Sequence, residues 1–264
     1  MSTRLQRIAC LGGVYSNWLA LESALADIAT RSVDAIYCLG DLGGFGPHPD
    51  RVFPLIQDAG IHCLQGNYDD SIGHGLDDCQ CGYTDPRDNR FAQISYQYTL
   101  ARTSAHNRSF LRQLPKQHRL QLGRYRLLLC HGSPRRVNEF LWESASSTHF
   151  LDALCHEYHC DAIVATHTGI KWHRTLNPSR HFINVGALGR PENDGTPRVW
   201  YTLLEATADN LSVEFVPVEY DYQRLAAEMQ AESLPPEFTE TILTGWWTTC
   251  LEILPSRERQ AGLW

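Results

Sequence analysis

The 264-residue sequence lacks three features that would each point to a distinct class of protein. No apolar run approaches the roughly 20 residues that a helix needs to cross a bilayer, so no membrane span is expected. The first residues lead almost directly into a strand pattern, without the hydrophobic region of a signal peptide, and a cytoplasmic location is the expectation. A basic balance is also missing, because 23 Lys and Arg residues against 30 Asp and Glu residues give a net charge of −7. General binding to nucleic acid, which needs a basic face, is therefore not expected.

Signs of a second domain are equally absent. The sequence contains no internal repeat, no low-complexity tract and no linker-like composition. We therefore expect a single domain over residues 1–264, with a helical C-terminal extension over about 222–264 that ends in a helix from Pro236 to Leu254. The paired tryptophans Trp246 and Trp247 on that helix indicate packing against the body of the protein. A homo-oligomer built on this helix is the alternative, since tryptophan is common at subunit contacts.

The nine cysteines give no recognisable disulfide framework. Several lie in or at the end of predicted core strands, where cysteine acts as a small hydrophobic residue, so a reduced chain is expected. These are Cys10, Cys38, Cys63 and Cys130. Cys79 and Cys81 differ, because they lie one residue apart in a polar loop. Packing within the loop is favoured for this pair, with metal binding or redox chemistry as alternatives.

The sequence does contain four short apolar segments that each stop at a side chain of the metal-ligand type. These end residues are Asp41, Asn67, His131 and His167. The first segments alternate with helical patterns, which predicts parallel strands joined by right-handed crossovers. The carboxyl ends of parallel strands meet at one sheet edge, where α/β proteins place their ligand sites. Carboxylate, amide and imidazole donors at one edge indicate a divalent metal.

Two other regions depart from the strand–helix alternation. Residues 68–89 are polar and glycine-rich, which predicts a long binding loop or lid. Asp69 and Asp70 in this loop are interpreted as solvated charges, with support of the loop by Asp69 as the alternative. Beyond His167 the pattern predicts a β meander followed by the C-terminal helices. The change from parallel to antiparallel strands predicts a mixed sheet, or a two-sheet sandwich with helices outside.

In order along the chain, five segments resemble sequence blocks of the calcineurin-like metallophosphoesterases, in particular the small bacterial phosphodiesterase-type branch. Four of them resemble the GDxxG, GNHD, histidine–glycine and GHTH blocks, and the fifth is similar to the glycine-rich segment that follows. They are Gly40–Gly44, Gly66–Asp69, His131–Gly132, Thr166–Gly169 and Asn184–Pro191. The resemblance covers nearly the whole chain, from Ile8 to about Gly245. It implies the α/β class and a four-layer α/β/β/α sandwich of mixed sheets.

The resemblance also implies a metal centre. In that family two metals lie about 3.5–4 Å apart, polarise a phosphate ester and generate hydroxide. Asp41 matches the bridging carboxylate, and Asn67, His131 and His167 match the other ligands of the second metal. The chain is thus expected to bind a divalent transition metal, Mn, Fe, Zn or Ni, with one metal per chain.

Ligands of the first metal are mostly missing. Gly13 and Tyr15 stand where the family has an Asp-x-His pair, and Gly169 replaces the second histidine of the GHTH block. Tyr68 replaces the catalytic histidine of the GNH block. We expect a divergent phosphoesterase that hydrolyses a phosphomonoester or phosphodiester through a metal-activated water. Asp41 and Tyr68 would be catalytic, with Tyr68 near the leaving group.

Two alternatives remain open at the level of sequence. The metal pair could be rebuilt from unfamiliar ligands, for which Tyr15, Cys79 and Cys81 are candidates. The chain could instead be a pseudoenzyme that binds a phosphorylated ligand or a protein partner without turnover. In every case a small phosphorylated molecule is the expected partner. Arg190 and His173 are the candidates for holding its phosphate, since arginine offers a planar bidentate fork.

Overall fold

Two five-stranded mixed sheets lie at the centre of the fold. The computed structural model describes residues 6–207 and 210–260, so both ends of the expected 1–264 domain lie outside the described residues. The first sheet has the order β10-β9-β1-β2-β3. Its strands are β1 (Arg7–Leu11), β2 (Ala35–Cys38), β3 (His62–Cys63), β9 (Val199–Ala206) and β10 (Leu211–Val218). The neighbours β1, β2 and β3 are parallel, whereas β9 and β10 join them in antiparallel pairs.

The second sheet repeats this mixture of parallel and antiparallel pairs. It has the order β4-β5-β6-β8-β7. Its strands are β4 (Gln117–Leu122), β5 (Tyr125–Cys130), β6 (Ala162–Ala165), β7 (Lys171–Asn177) and β8 (Arg180–Val185). Parallel pairing of β5, β6 and β8 brings the ends of β5 and β6 to the same edge.

Nine α-helices cover the outer faces of the sheets within the described residues. They are α1 (Trp18–Ile28), α2 (Val52–Asp58), α3 (Asn67–His74), α4 (Pro86–Arg102), α5 (Ala105–Arg112), α6 (Thr148–Glu157), α7 (Tyr222–Ala231), α8 (Pro236–Thr244) and α9 (Ser256–Gln260). None of these helices is both long and apolar enough to span a membrane.

Successive side chains of a strand point to opposite faces of the sheet, so the hydrophobic core is divided into layers. On β1, Ile8 and Cys10 face the second sheet and pack with Leu127 and Val164. Their neighbours on the same strand face the helices on the other side. A third cluster packs α6 against the outer face of the second sheet. The expected α/β sandwich of two mixed sheets flanked by helices is therefore confirmed.

The polar stretch predicted as a loop over residues 68–89 begins instead with α3. Asp69 in the first turn of that helix is fully buried. Its carboxylate accepts hydrogen bonds from the backbone N–H groups of Asp41, Leu42 and Gly66. The interpretation of Asp69 as a solvated charge was wrong, because these three bonds satisfy the carboxylate inside the protein.

The helix predicted over Pro236–Leu254 ends at Thr244. Gly245 adopts a left-handed conformation with φ 75°, which is the usual helix C-terminal signal. The chain then continues as a segment of bends and a turn, which we call the strap and define as residues 245–255. The strap lies against the edge at which the ligand-type residues meet.

Candidate metal centre

The four ligand-type residues predicted from the sequence follow strands of both sheets. Asp41 comes after β2 of the first sheet, and Asn67 begins α3 after β3. His131 and His167 follow the parallel neighbours β5 and β6 of the second sheet. All four side chains are buried. Asp41, His131 and His167 each offer one ligand atom, and these atoms all lie within 4.8 Å of one another. The expectation that one sheet edge would collect these residues was wrong, because the packing of the two sheets brings Asp41 to the two histidines.

His131 is held in a single orientation at the centre of the cluster. Its Nδ1 lies 2.7 Å from the backbone oxygen of Leu39, an atom that can only accept a hydrogen bond. Nδ1 therefore carries the proton and Nε2 points into the cluster. That Nε2 lies 3.2 Å from Oδ2 of Asp41 and 3.1 Å from Nδ1 of His167. A backbone oxygen that fixes the far nitrogen is the usual support of a metal-binding histidine.

Asn67 lies beside the cluster and lines the same cavity as Asp41 and His167. Its Nδ2 donates to the backbone oxygen of Cys79 at 2.8 Å and to Sγ of Cys81 at 3.4 Å. Its Oδ1 is buried and has no hydrogen-bond partner. A buried acceptor without a partner costs free energy, and a metal ion would satisfy it. The oxygen and nitrogen donors of this cluster therefore fit a divalent transition metal.

The protonation states of the cluster follow from burial and from Asp41. Burial lowers the pKa of His131, but the charge of Asp41, with the hydrogen bonds to Asp41 and Leu39, outweighs burial and raises that pKa. Burial and the charge of His131 lower the pKa of His167 to about 3. Burial and the charge of Asp41 raise the pKa of Asp69 to about 6, although its three backbone hydrogen bonds oppose this. His167 is thus neutral at pH 7, as a metal ligand must be.

Backbone conformation also marks the site. Asp41 has φ 57° and His167 has φ 69°, both in the left-handed region that non-glycine residues rarely adopt. Such conformations cost roughly 1–3 kcal/mol each and gather at functional sites. The backbone is therefore strained at two of the four ligand-type residues.

Comparison with known proteins identifies the family. The model of the calcineurin-like phosphoesterase superfamily domain matches residues 7–209 of this chain. The chain belongs to this superfamily. Its members are in general metal-dependent phosphoester hydrolases.

Individual relatives agree with this assignment. An uncharacterized protein of Methanocaldococcus jannaschii is 24% identical over an alignment of 252 residues that covers 90% of this chain and 98% of the relative. A solved metallophosphoesterase from Sphaerobacter thermophilus is 26% identical with a TM-score of 0.69, covering 92% of this chain and 100% of its own. A hypothetical protein from Pyrococcus horikoshii shares the fold at a TM-score of 0.77 and 20% identity, covering 92% and 99% of the two chains.

Within this superfamily, the chain departs from the blocks that it resembles at the positions expected to hold the first metal. A Cβ atom added to Gly13 would lie 2.5 Å from Cζ of Tyr15, so the tyrosine ring occupies the space beside that glycine. Gly169 has φ +74°, and a Cβ atom there would lie 3.1 Å from Cη2 of Trp247. Aromatic rings therefore fill the positions at which the family ligands would project.

Two of the proposed replacements for these ligands do not have the required form. Burial and the charge of Asp41 raise the pKa of the Tyr15 hydroxyl, and Tyr15 as a ligand stays a prediction. Cys79 and Cys81 are joined by a disulfide bond, so neither sulfur is a thiolate. The expectation of a fully reduced chain was wrong for this pair, whereas the other seven cysteines are free and buried. The disulfide instead places the Cys79 carbonyl where it orients Asn67.

A small cavity of about 60 Å³ adjoins the cluster, room for a few water molecules. Seven residues predicted as parts of the site line it: Tyr15, Asp41, Asn67, Tyr68, Cys81, His167 and Arg190. His173 does not, because it lies on β7 with its Nε2 3.1 Å from Nδ1 of His181.

Tyr68 on α3 lines the cavity, and its hydroxyl has hydrogen-bond partners within the protein. The hydroxyl lies 3.0 Å from Oγ of Ser95 and 3.3 Å from the backbone oxygen of Ala92. Its backbone N–H donates to Oδ1 of Asp41 at 3.0 Å. Burial raises the pKa of Tyr68, so the hydroxyl stays neutral.

Sequence reasoning missed the contribution of the strap. Thr249 and Cys250 line the cavity, and Trp247 lines the adjoining space with Gly169. Trp247 is fixed by a hydrogen bond from its Nε1 to the backbone oxygen of Pro191. Gly245 was the available signal, since a glycine in a helical pattern often ends the helix.

Proposed function

We propose that this protein is a phosphoesterase that hydrolyses a small phosphomonoester or phosphodiester with a single divalent transition metal. The ligands would be Asp41, Asn67, His131 and His167. The observation that carries the proposal is the buried cluster, whose ligand atoms lie within 4.8 Å of one another beside the unpaired Oδ1 of Asn67. Family membership supports the reaction class.

The chain's own residues prepare the site. A metal bound there supplies a Lewis acid that polarises a phosphoryl oxygen and lowers the pKa of a water molecule. Asp41 is oriented by the Tyr68 N–H, and His131 by the Leu39 carbonyl. Burial keeps bulk water away from both. The neutral hydroxyl of Tyr68 faces the cavity and can donate to a leaving-group oxygen when it releases Ala92.

The test is hydrolysis of bis-p-nitrophenyl phosphate by protein reconstituted with Mn, Fe, Zn or Ni. Asp41→Asn should reduce turnover at least about 100-fold, because Lewis-acid catalysis contributes several kcal/mol. Asp70→Asn is the matched control, since Asp70 lies on the same helix with its carboxylate 3.2 Å from His74. Equal turnover by Asp41→Asn and wild type would contradict the proposal.

A second candidate is a protein that binds a phosphorylated ligand without turnover. The observation that favours it is the Tyr68 hydroxyl, which is occupied by Ser95 and Ala92 at the place of the family's catalytic histidine. Saturable binding of phosphorylated compounds with no hydrolysis under any of the four metals would select this candidate.

Two further expectations stay predictions. A homo-oligomer through the C-terminal helix would have to use residues such as Leu243, which is 42% exposed, since Trp247 is buried within its own chain. Size-exclusion chromatography with light scattering would test it. A cytoplasmic location stays a prediction of the sequence.

A further inference from the structure

Arg190 is a buried guanidinium without a carboxylate partner. Only 7% of the residue is exposed. Among residues 6–207 and 210–260, no Asp or Glu forms an ion pair with it. Its Nε is buried and makes no hydrogen bond. Burying an unpaired cation is costly, so a guanidinium kept in this state indicates an anionic ligand.

The strap holds this guanidinium in place. Its Nη2 donates to the backbone oxygen of Thr249 at 2.8 Å. Its Cζ lies 4.0 Å from the ring centroid of Trp247 and 5.0 Å from that of Phe45. Two aromatic faces and one carbonyl stabilise the cation while leaving Nε–H available.

Arg190 lines two adjoining spaces of the centre. The first is the cavity whose wall also includes Asp41, Asn67 and His167. The second lies against Gly169 and Trp247, where the resemblance implies a ligand of the first metal that this chain lacks. Arg190 therefore borders both the candidate metal cluster and the half without ligands.

We propose that Arg190 is the second positive charge of this centre and binds a phosphate oxyanion in place of the first metal. Trp247 and Thr249 are positioning residues that aim its guanidinium. This deepens the proposed function and rests on it for the reaction, since phosphate would contact the metal on one side and Arg190 on the other. A guanidinium carries its charge at every relevant pH and offers hydrogen-bond donors that suit phosphate oxygens.

The experiment titrates inorganic phosphate into the Mn-reconstituted full chain by calorimetry and counts metals per chain on the same samples. Arg190→Gln should bind phosphate about 10- to 100-fold more weakly, the loss expected for a hydrogen bond to a charged group. The metal count should stay at the wild-type value. Arg190→Lys should recover part of the affinity, because it restores the charge without the fork.

Arg174→Gln is the matched control. Arg174 also stacks on a tryptophan, with its Cζ 5.4 Å from the Trp172 ring centroid, and donates to the backbone oxygens of Ser146 and Glu143. It does not line the cavity. Phosphate affinity of this variant should equal that of wild type. Trp247→Phe tests positioning, and should weaken phosphate binding less than Arg190→Gln does.

Each contrary outcome has a distinct meaning. Phosphate affinity that is unchanged in Arg190→Gln, or equally weakened in Arg174→Gln, would overturn the inference. So would wild-type protein that binds no phosphate. If wild type binds phosphate through Arg190 but hydrolyses no ester, the anion site stands and the proposed function fails. If Arg190→Gln hydrolyses esters with wild-type kcat and KM, the function stands and the inference fails.

Discussion

The two halves of this centre differ in the side chains that they present where the two sheets meet. In one half, Asp41, His131 and His167 place ligand atoms within 4.8 Å of one another, and Asn67 in the wall of the same cavity has an oxygen without a hydrogen-bond partner. In the other half, glycines stand at the positions of the expected ligands, and the rings of Tyr15 and Trp247 lie against them. The comparison teaches that large side chains and one buried cation line the half without ligands, where only a narrow space remains.

The largest effect should come from removing a ligand in the polar half. His131→Ala removes the nitrogen that lies within about 3 Å of both Asp41 and His167. Metal affinity should fall more than about 100-fold, because changes of outer-shell partners alone cost 10–100-fold. Equilibrium dialysis against Mn²⁺ measures this. An affinity equal to that of wild type would mean that the polar half is not the metal site.

A smaller loss is expected when a supporting carboxylate is changed. Asp69 contacts no ligand atom that faces the cluster, but it fixes the backbone of Asp41 and Gly66. The two carboxylate oxygens of Asp69 share three hydrogen bonds, whereas Asp69→Asn keeps only one acceptor oxygen. Metal affinity should therefore fall about 10- to 100-fold. The same dialysis measures it, with Asp70→Asn as the control. Equal affinities of the two variants would contradict the supporting role.

Restoring a missing ligand tests whether the half that contains Gly13 and Gly169 can bind a metal. Gly169→His reinstates the family residue, but the backbone is left-handed and the Trp247 ring lies against it. The variant should lose on the order of 1–3 kcal/mol of unfolding free energy and gain no second metal. Urea unfolding and metal analysis measure the two results.

Gly60→His is the control for this change. Gly60 has φ +62°, and a Cβ atom there would meet nothing within 4 Å. The Gly60→His variant therefore has the backbone strain without the aromatic contact, and its unfolding free energy should fall less than that of Gly169→His. A second metal bound by Gly169→His would show that the half with Gly13 and Gly169 can still hold a metal, and would contradict the difference between the two halves.

The smallest effect lies outside both halves and concerns pH. Burial and the charge of His173 lower the pKa of His181 to about 4, from an ordinary value of 6.5. Between these values the unfolded chain binds a proton that the folded chain does not, so stability falls as pH drops from about 6.5 to about 4. His181→Gln should flatten this decline in urea unfolding at pH 7 and pH 4.5. His156→Gln, an exposed change on α6, should leave it unaltered. An undiminished decline in His181→Gln would assign the acid sensitivity to other groups.

The strand ends were predictable because they follow from a local rule. Each apolar run that stops at Asp41, His131 or His167 is a short buried strand, and parallel pairing brings the ends of β5 and β6 together. The sequence did not show that Asp41 would come from a second sheet packed against them. The resemblance added the order of the blocks. The missing donors of the expected first metal were also visible, since Gly13 and Gly169 carry none.

Other parts depend on contacts between distant segments. The polar start of α3 resembles a loop until Asp69 is seen to bridge three backbone N–H groups, two of them about 28 residues earlier. The strap is directed by Trp247 and its bond to the Pro191 carbonyl, which no local pattern encodes. Arg190 was a candidate phosphate ligand from the sequence and stays one, whereas its enclosure by the strap was not predicted.

The number of metals bound per chain tests the central claim most directly. Elemental analysis of purified protein, reconstituted with Mn²⁺ and freed of excess metal, gives that number for wild type and for Tyr15→Phe. The account predicts one metal per chain in both, because the Tyr15 hydroxyl is not a ligand. Two metals per chain, with one lost in Tyr15→Phe, would contradict it and show that the pair had been rebuilt.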